Sequence, residues 1–221
     1  MKSKSITVLL VDDHAVVREG YRSFLEKQKG IKVIAEAESG EEAYRLFKEI
    51  QPNVVVMDLS LPGRGGIETI ARIRKQSATV RMLVFSMHQN PTFALQAIKA
   101  GARGYVTKNS LPSVLVQAIH DVSAGKIALS HDIAEALAVE KLEINNTALE
   151  ELTSREFEIF NMILDAKSVS EIADTLCVTQ KTISNCHYII KKKLGTKTDI
   201  ELIHFAIKMN IFKPLNLVPA S

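Results

Sequence analysis

VVVMD, the sequence of residues 54–58, places one carboxylate directly after four apolar residues. A short continuous apolar run predicts a strand that is covered on both faces, as in a parallel sheet. Four similar runs occur between residue 6 and about residue 124, and amphipathic helical patterns separate them. The predicted strands are Ile6–Val11, Lys32–Ala37, Val54–Asp58, Arg81–Phe85 and Gly104–Val106. This alternation predicts an α/β fold with a doubly wound, five-stranded parallel sheet.

The length and composition fit two small domains. The chain has 221 residues, of which 46% are hydrophobic and 24% are charged, so each domain can form a core. We expect a first domain over residues 1–124, a linker over 125–150 and a second domain over 151–221. Within the linker, Asp132–Val139 predicts a short helix, and Glu140–Glu151 is polar and acidic.

Several classes of protein are disfavoured. The formal net charge of +3 does not by itself indicate a nucleic-acid partner. The cysteines are Cys177 and Cys186, without a Cys-x-x-Cys pattern, which fits a reducing compartment and offers neither a disulfide framework nor a zinc site. Asp12 and Asp13 follow the first apolar run at once, so it does not resemble a secretory signal, and no run approaches the ~18 residues of a membrane span. We therefore expect a soluble, cytoplasmic protein.

Polar residues follow the predicted strands at their carboxyl ends. Asp12 and Asp13 end the first strand, Asp58 ends the third, Ser86 follows the fourth and Lys108 lies just past the fifth. In a flavodoxin-like sheet of order 2-1-3-4-5, these side chains meet where ligands bind. Neighbouring carboxylates repel one another unless a divalent cation lies among them, and hard oxygen ligands favour Mg²⁺. The alternative, that each acid only caps a neighbouring helix, is about equally good for a single residue but not for the whole set.

One of these carboxylates is a candidate nucleophile toward phosphorus. Asp58 stands alone after its apolar run, whereas Asp12 and Asp13 form a pair that can hold a metal directly or through water. An aspartyl phosphate is an established covalent intermediate. Ser86 could then donate its hydroxyl to the phosphoryl oxygens, and Lys108 could add a charge-assisted hydrogen bond.

The motifs around these residues resemble two-component receiver domains over residues 6–124. They are Val11–His14, Met57–Gly63, Ser86 and Gly101–Lys108. The resemblance implies that a sensor histidine kinase phosphorylates Asp58, and that Asp12, Asp13, Asp58 and the main-chain carbonyl of Ser60 bind Mg²⁺. It further implies that Ser86 and Tyr105 form the switch.

His14 and Gly65 are two further positions of this region that can be compared with the family. His14 stands where the family often has a histidine after the acidic pair, and we interpret it as a loop residue. Gly65 departs from the Asn-Gly of many relatives and alters a turn rather than the chemistry.

After the linker the pattern is helical throughout and predicts a small all-α domain of four helices. The helices are predicted over Arg155–Asp165, Val169–Leu176, Gln180–Leu194 and Asp199–Met209. The segment from Thr179 to Lys197 contains lysines and no acid. These lysines are Lys181, Lys191, Lys192, Lys193 and Lys197.

A basic helix is more often a solvated face than a DNA reader, so its neighbours decide the interpretation. The segment Glu171–Ile183 predicts a short helix, a tight turn and a second helix, which is the helix-turn-helix arrangement. The residues predicted to face outward from the second helix are Lys181, Ser184, Asn185, Tyr188 and Lys191.

Residues 150–212 resemble the LuxR-type DNA-binding domain, so the whole chain resembles a NarL/FixJ-type response regulator. The motifs are Leu152–Glu156, Ser170–Ala173, Lys181–Asn185 and Lys192–Gly195, and Asp199–Ile207 resembles the GacA/UvrY-like branch. The resemblance implies binding to double-stranded DNA, with Ser184, Asn185 and Tyr188 facing the major groove. It places Thr182, Lys191 and Lys192 near phosphates. Two departures are Ala166, where a glycine is common, and Cys186, where many relatives have histidine.

These observations predict a phosphorylation switch rather than an enzyme. Charge added at Asp58 would draw in Ser86, reorient Tyr105 and favour a homodimer that engages DNA. The apolar last helix is either the pairing surface or part of the closure of the four-helix core. A haloacid-dehalogenase-like phosphatase would need a second acid where Ser60 stands, and Gly63–Gly66 is not a nucleotide-binding fingerprint. A regulator that works without phosphorylation is disfavoured by the intact acidic set.

Overall fold

The computed structural model describes residues 5–142, 149, 151–209 and 211. The chain forms two compact units, Met1–Leu142 and Glu143–Ser221. Of the predicted linker, residues 143–148 and 150 lie outside the described residues, as does the end of the second predicted domain from residue 212. Among the described residues, no helix is both long and apolar enough to cross a membrane.

The first unit contains a parallel sheet in the order β2-β1-β3-β4-β5-β6. Its strands are β1 Ile6–Val11, β2 Ile31–Ala37, β3 Val54–Met57, β4 Arg81–Ser86, β5 Gly104–Thr107 and β6 Ala128–Leu129. The predicted α/β class and the order 2-1-3-4-5 are confirmed, and β6 extends the sheet by one strand.

Five helices connect successive strands of this sheet, and a sixth follows β6. They are α1 Ala15–Glu26, α2 Gly40–Ile50, α3 Gly66–Gln76, α4 Pro91–Ala100, α5 Pro112–Ser123 and α6 His131–Leu142. Local chemistry explains where some of them begin: the Ser39 side chain accepts from the Glu42 N–H, and Asn90 accepts from Thr92 directly before the helix-starting Pro91.

Both faces of the sheet are buried, as the apolar strand sequences predict. On one face, residues such as Val56 and Phe85 form a core with Leu25 of α1 and Leu115 and Ile119 of α5. The alternate strand residues, which point to the opposite face, are also buried. They include Leu9, Val55, Met57, Met82 and Val84.

The sixth strand lies in the segment that the sequence analysis treats as a linker. Ala128 pairs with Gly104 and Leu129 with Tyr105, and α6 then contacts both α4 and β5. The compact unit therefore continues to Leu142, beyond residue 124. A two-residue strand is too short to give a periodic pattern, which is why the sequence shows no sign of it.

The second unit is helical within its described residues, as predicted. Its helices are α7 Ser154–Leu164, α8 Val169–Thr175, α9 Gln180–Lys193 and α10 Asp199–Lys208. Thr153 with Glu156, and Ser168 with Glu171, form capping boxes that fix the starts of α7 and α8. Ala166 adopts a φ of 58°, which disfavours a side chain, so the glycine of many relatives would relieve strain here.

Glycine at position 104 is required by the close approach of β6. A Cβ atom there would lie 2.7 Å from Leu83 Cδ1 and 2.8 Å from the Ala128 carbonyl oxygen. Gly104→Ala should therefore lower the free energy of unfolding by about 1–3 kcal/mol, the usual cost of overpacking a core. Chemical denaturation monitored by circular dichroism measures this change.

The matched control is Gly20→Ala in α1, where an added Cβ would have no heavy atom within 4 Å. That substitution should stabilise the protein by about 0.5–1 kcal/mol, because alanine is the better helix former. Equal stability of the Gly104 and Gly20 variants would show that β6 does not pack against β5 as described.

Candidate functional site

The carboxyl ends of four neighbouring strands form one edge of the sheet. Asp12 follows β1, Asp58 follows β3, Ser86 ends β4 and Lys108 follows β5. The strand register keeps these ends level, since Val11 pairs with Met57, Met57 with Val84 and Ser86 with Thr107. The structure therefore brings Asp12, Asp58, Ser86 and Lys108 to a common edge.

An ion triplet lies at the centre of this edge. The Lys108 Nζ atom donates to Asp12 Oδ2 at 2.7 Å and to Asp58 Oδ2 at 2.6 Å. The three side chains are only 7%, 5% and 3% exposed, in the order Lys108, Asp12 and Asp58. Burial by itself would lower the pKa of Lys108, but hydrogen bonds and attraction from both carboxylates outweigh it and raise this pKa. Lys108 is therefore a cation at physiological pH.

Asp58 is held by its own loop as well as by Lys108. Its Oδ1 atom accepts from the Leu59 N–H at 2.7 Å and, more weakly, from the Ser60 N–H at 3.4 Å. Gly66, the first residue of α3, packs so closely that a Cβ there would lie 2.2 Å from the Asp58 carbonyl oxygen. The carboxylate is thus held by Lys108 and by backbone N–H groups, and α3 packs against the backbone that carries it.

Oxygen and nitrogen donors beside the triplet could hold a metal ion. Asp12, Asp13, His14 and Asp58 each offer one such atom, and these atoms all lie within 4.8 Å of one another. Three of the four groups are carboxylates, the hard ligands that divalent magnesium prefers. Asp13 and His14 are exposed, which gives an ion access from solvent. The donor set therefore fits a hard divalent cation.

His14 makes specific contacts with both acids, in addition to being the loop residue that the sequence predicts. Its backbone N–H donates to Asp12 Oδ1 at 2.9 Å, and its Nδ1 atom lies 2.9 Å from Asp13 Oδ1. His14 thus links the two acids, and it occupies the N-cap position of α1 without a capping hydrogen bond from its side chain. Its position directly after the acidic pair is the only sequence signal for this role.

Ser86 and Tyr105, the predicted switch pair, lie together in the interior. Both are fully buried, and the Tyr105 hydroxyl donates to the His88 carbonyl oxygen at 2.8 Å. Burial raises the pKa of Tyr105 far above its ordinary value, although a hydrogen bond with Ser86 acts in the opposite direction. Tyr105 is therefore a neutral hydrogen-bonding group.

His88 belongs to this site although the sequence analysis does not identify it. Besides accepting from Tyr105, it stacks on Phe93 with ring centroids 3.9 Å apart, and its Nε2 atom lies 3.2 Å from Ser60 Oγ. No motif marks a histidine in this loop, because its contacts come from three separate segments.

In the second unit, α9 presents an outward stripe. Lys181, Asn185, Tyr188 and Lys192 follow at intervals of four, three and four residues, and all are exposed. Thr182 and Ser184, also predicted for this interface, are exposed as well. On the opposite side of the helix, Ile183 and Ile190 are fully buried, and α9 packs against α7 and α8. Cys186 is half-buried and lies off the outward stripe.

Two lysines of this helix have partners within the domain. Lys193 Nζ donates to Glu156 Oε2 at 2.6 Å and to the Glu151 carbonyl oxygen at 3.0 Å. Burial would raise the pKa of Glu156, but the bonds from Lys193 and Thr153 outweigh it and lower this pKa. Lys191, predicted to face outward, is partly buried and donates to Asp199 Oδ1 at 2.9 Å. The basic charge of the helix is therefore only partly available to a ligand.

Comparison with known families finds two matches along the chain. Residues 8–120 match the response regulator receiver domain, and residues 150–206 match the luxR family of bacterial regulatory proteins. The response regulator UvrY of Escherichia coli K12 is 38% identical over 205 residues, which cover 92% of this chain and 94% of UvrY. The predicted resemblance to this branch is confirmed.

Solved structures of response regulators also match this chain. A two-component response regulator of the LuxR family from an Aurantimonas species is 52% identical, with a TM-score of 0.62, and covers 63% of this chain and 99% of its own. RcsB of Salmonella enterica serovar Typhimurium, bound to the promoter rprA with the phosphomimetic BeF₃⁻, has a TM-score of 0.69 at 25% identity. That match covers 91% of this chain and 98% of RcsB.

Proposed function

This chain belongs to the two-component response regulators that join a receiver domain to a LuxR-type DNA-binding domain, and from that premise we propose that phosphorylation of Asp58 by a sensor histidine kinase controls its binding to DNA. Response regulators of this type regulate transcription. The observation that carries the proposal is the Lys108 ammonium, held between the carboxylates of Asp12 and Asp58.

In the proposed reaction, a carboxylate oxygen of Asp58 attacks the phosphorus of a phosphohistidine on the kinase. An O–P bond forms at Asp58, the P–N bond of the donor breaks, and the electron pair returns to the imidazole. Lys108, already within hydrogen-bond distance of Asp58, would donate to a phosphoryl oxygen, and Ser86 would donate to another. Both groups stabilise the negative charge that arrives with the phosphoryl group.

Mg²⁺ is the proposed cofactor of this reaction. Asp12, Asp13 and Asp58, with the main-chain carbonyl of Ser60, would hold it, since the carboxylate oxygens already lie within 4.8 Å of one another. A bound divalent cation neutralises phosphoryl oxygens and so lowers the barrier to attack by a carboxylate.

The proposed switch follows from the position of Ser86. If its hydroxyl moves toward the phosphoryl group, it leaves Tyr105, whose own hydroxyl contacts the loop of His88. The receiver surface around α4 and β5 would then change, and this surface also contacts α6. Phosphorylation would thereby favour one of two arrangements of the receiver.

We propose that the DNA-binding unit engages double-stranded DNA through the outward stripe of α9. Asn185, Ser184 and Tyr188 would face the major groove, and Lys181, Thr182 and Lys192 would lie near phosphates. The exposure of these residues supports this arrangement, and the RcsB structure contains a promoter.

A homodimer of the phosphorylated form is part of the proposal. Leu202 and Ala206 of α10 are buried in the core, whereas Ile200, Ile203 and Ile207 are exposed on the same helix. Closing the core therefore uses only part of the apolar surface of α10, and the exposed isoleucines are available for pairing.

We place the protein in the cytoplasm, where a bacterial regulator meets its DNA.

The competing enzymatic function is a phosphatase that forms an aspartyl phosphate and hydrolyses it. Ser60 stands two residues after Asp58, where such an enzyme needs an acid, and its hydroxyl contacts His88. The family match favours a phosphorylated regulator that turns over no separate substrate.

Asp58→Asn should abolish phosphate uptake from a small phosphodonor in the presence of Mg²⁺. The amide is a poor nucleophile, and the substitution also removes one metal-ligating charge. Intact-protein mass spectrometry, with hydroxylamine treatment to identify an acyl phosphate, measures the uptake. Asp121→Asn, which removes a partly buried carboxylate of α5 outside the site, is the control and should be phosphorylated like the wild type. Undiminished phosphorylation of the Asp58 variant at another residue would contradict the assignment.

Asn185→Ala and Lys192→Ala should weaken DNA binding in different ways. Loss of a base contact should reduce operator binding by about 1–3 kcal/mol and leave random DNA nearly unaffected. Loss of a phosphate contact should weaken both DNAs and reduce the salt slope by about one. Salt titrations on random DNA and on an operator selected from genomic fragments distinguish them. Lys75→Ala, on α3 of the first unit, controls for the change in net charge. Identical behaviour of the Asn185 and Lys192 variants would contradict the assigned face.

A further inference from the structure

Asp199, the first residue of α10, contacts Lys191 and His187 of the helix α9. We call these three side chains the Asp199 cluster. Asp199 Oδ1 lies 2.9 Å from Lys191 Nζ and 2.9 Å from His187 Nε2. The lysine contact is a hydrogen bond, whereas the histidine contact is a close approach of the two groups without one. Lys191 and His187 are one turn apart, so the same carboxylate can reach both.

The backbone around the cluster is also fixed. The Lys191 carbonyl accepts from the Thr196 N–H at 2.9 Å and from its hydroxyl at 3.4 Å, which closes the turn after α9. The Thr198 hydroxyl then caps α10 by accepting from the Glu201 N–H. These backbone contacts hold Asp199 in place beside α9.

Because of this cluster, Lys191 differs in exposure and in pairing from the other lysines of the proposed interface. Its side chain is 23% exposed and that of His187 is 16% exposed. Lys181 and Lys192, in contrast, lie on the exposed stripe, and neither forms an ion pair within residues 151–209. Hydrogen bonding to Lys191 lowers the pKa of Asp199, so the carboxylate remains charged opposite the ammonium.

We propose that Asp199 is a specificity-determining residue that withholds Lys191 from the DNA backbone and so limits binding to DNA of unrelated sequence. A lysine already paired with a carboxylate must give up that contact to reach a phosphate, so it neutralises less phosphate charge on binding. Asn185 and its neighbours read base edges without this restriction, so the ratio of specific to non-specific affinity rises. The inference rests on the proposed DNA-binding function.

The test uses the full chain and four proteins: the wild type, Asp199→Asn, Lys191→Ala and the double variant. Each is titrated with salt on the selected operator and on a random duplex of equal length. Asp199→Asn should bind random DNA roughly three- to tenfold more tightly and steepen its salt slope by about one, because one more lysine reaches a phosphate. The operator should gain less than random DNA does.

The double variant separates release of Lys191 from a general change of charge. Adding Lys191→Ala to Asp199→Asn should return both the slope and the random-DNA affinity to wild-type values. Lys191→Ala alone should leave the slope almost unchanged, unlike Lys192→Ala. The matched control is Asp165→Asn, which removes an exposed carboxylate from the end of α7 and should not reproduce the Asp199 effect.

Two results would overturn the inference. One is a reduction of the slope by about one in Lys191→Ala, since Lys191 would then contact phosphate despite Asp199. The other is an unchanged random-DNA affinity in a folded Asp199→Asn variant that still binds the operator. The comparison of Lys191→Ala with Lys192→Ala remains decisive if Asp199→Asn does not fold. The four proteins are compared in the phosphorylated form. Failure of the phosphorylated wild type to bind either DNA would contradict the proposed function, and this inference with it.

Discussion

The ammonium of Lys108 lies between two carboxylates at the carboxyl edge of the sheet, and the receiver is organised around that contact. Asp12 and Asp58 are 96 and 50 residues away in sequence, yet both bond the same nitrogen. Removing the ammonium or the carboxylates would leave the opposite charge buried and unpaired, which costs several kcal/mol. The fold offsets this cost of burying charge because it aligns the carboxyl ends of β1, β3 and β5, so that the opposite charges meet. The same arrangement leaves an oxygen-rich site beside the lysine, where Asp13 faces solvent.

Strand β5 connects this contact to the end of the domain. Tyr105 pairs with Leu129 of β6, and the Thr107 hydroxyl donates to Asp132 Oδ2 of α6 at 2.8 Å. Lys108 is the next residue after Thr107, so the same short segment touches both the proposed phosphorylation site and the helix that ends the first unit. A displacement of β5 on phosphorylation would therefore reach α6 through direct contacts and require no distant relay.

The parts of the fold that the sequence predicts are those with a local or periodic signal. Apolar runs identified β1 to β5, and the residues that end them identified Asp12, Asp58 and Lys108 as neighbours. The rest depends on tertiary contacts without such a signal. β6 is two residues long, His88 gains its role from Tyr105 and Ser60, and the pairing of Lys191 with Asp199 depends on the turn between two helices. A pattern of charge along one helix cannot reveal which lysines have partners on another.

The most direct test of the central claim is the change in operator affinity on phosphorylation, measured for the wild type and for Lys108→Ala. The wild type should gain operator affinity when it is phosphorylated. The variant keeps the carboxylates, so it should still bind Mg²⁺ and accept phosphate at Asp58, but it lacks the cation that joins the phosphoryl group to β5. Its operator affinity should therefore not change on phosphorylation. A gain in the phosphorylated Lys108 variant equal to that of the wild type would contradict the account.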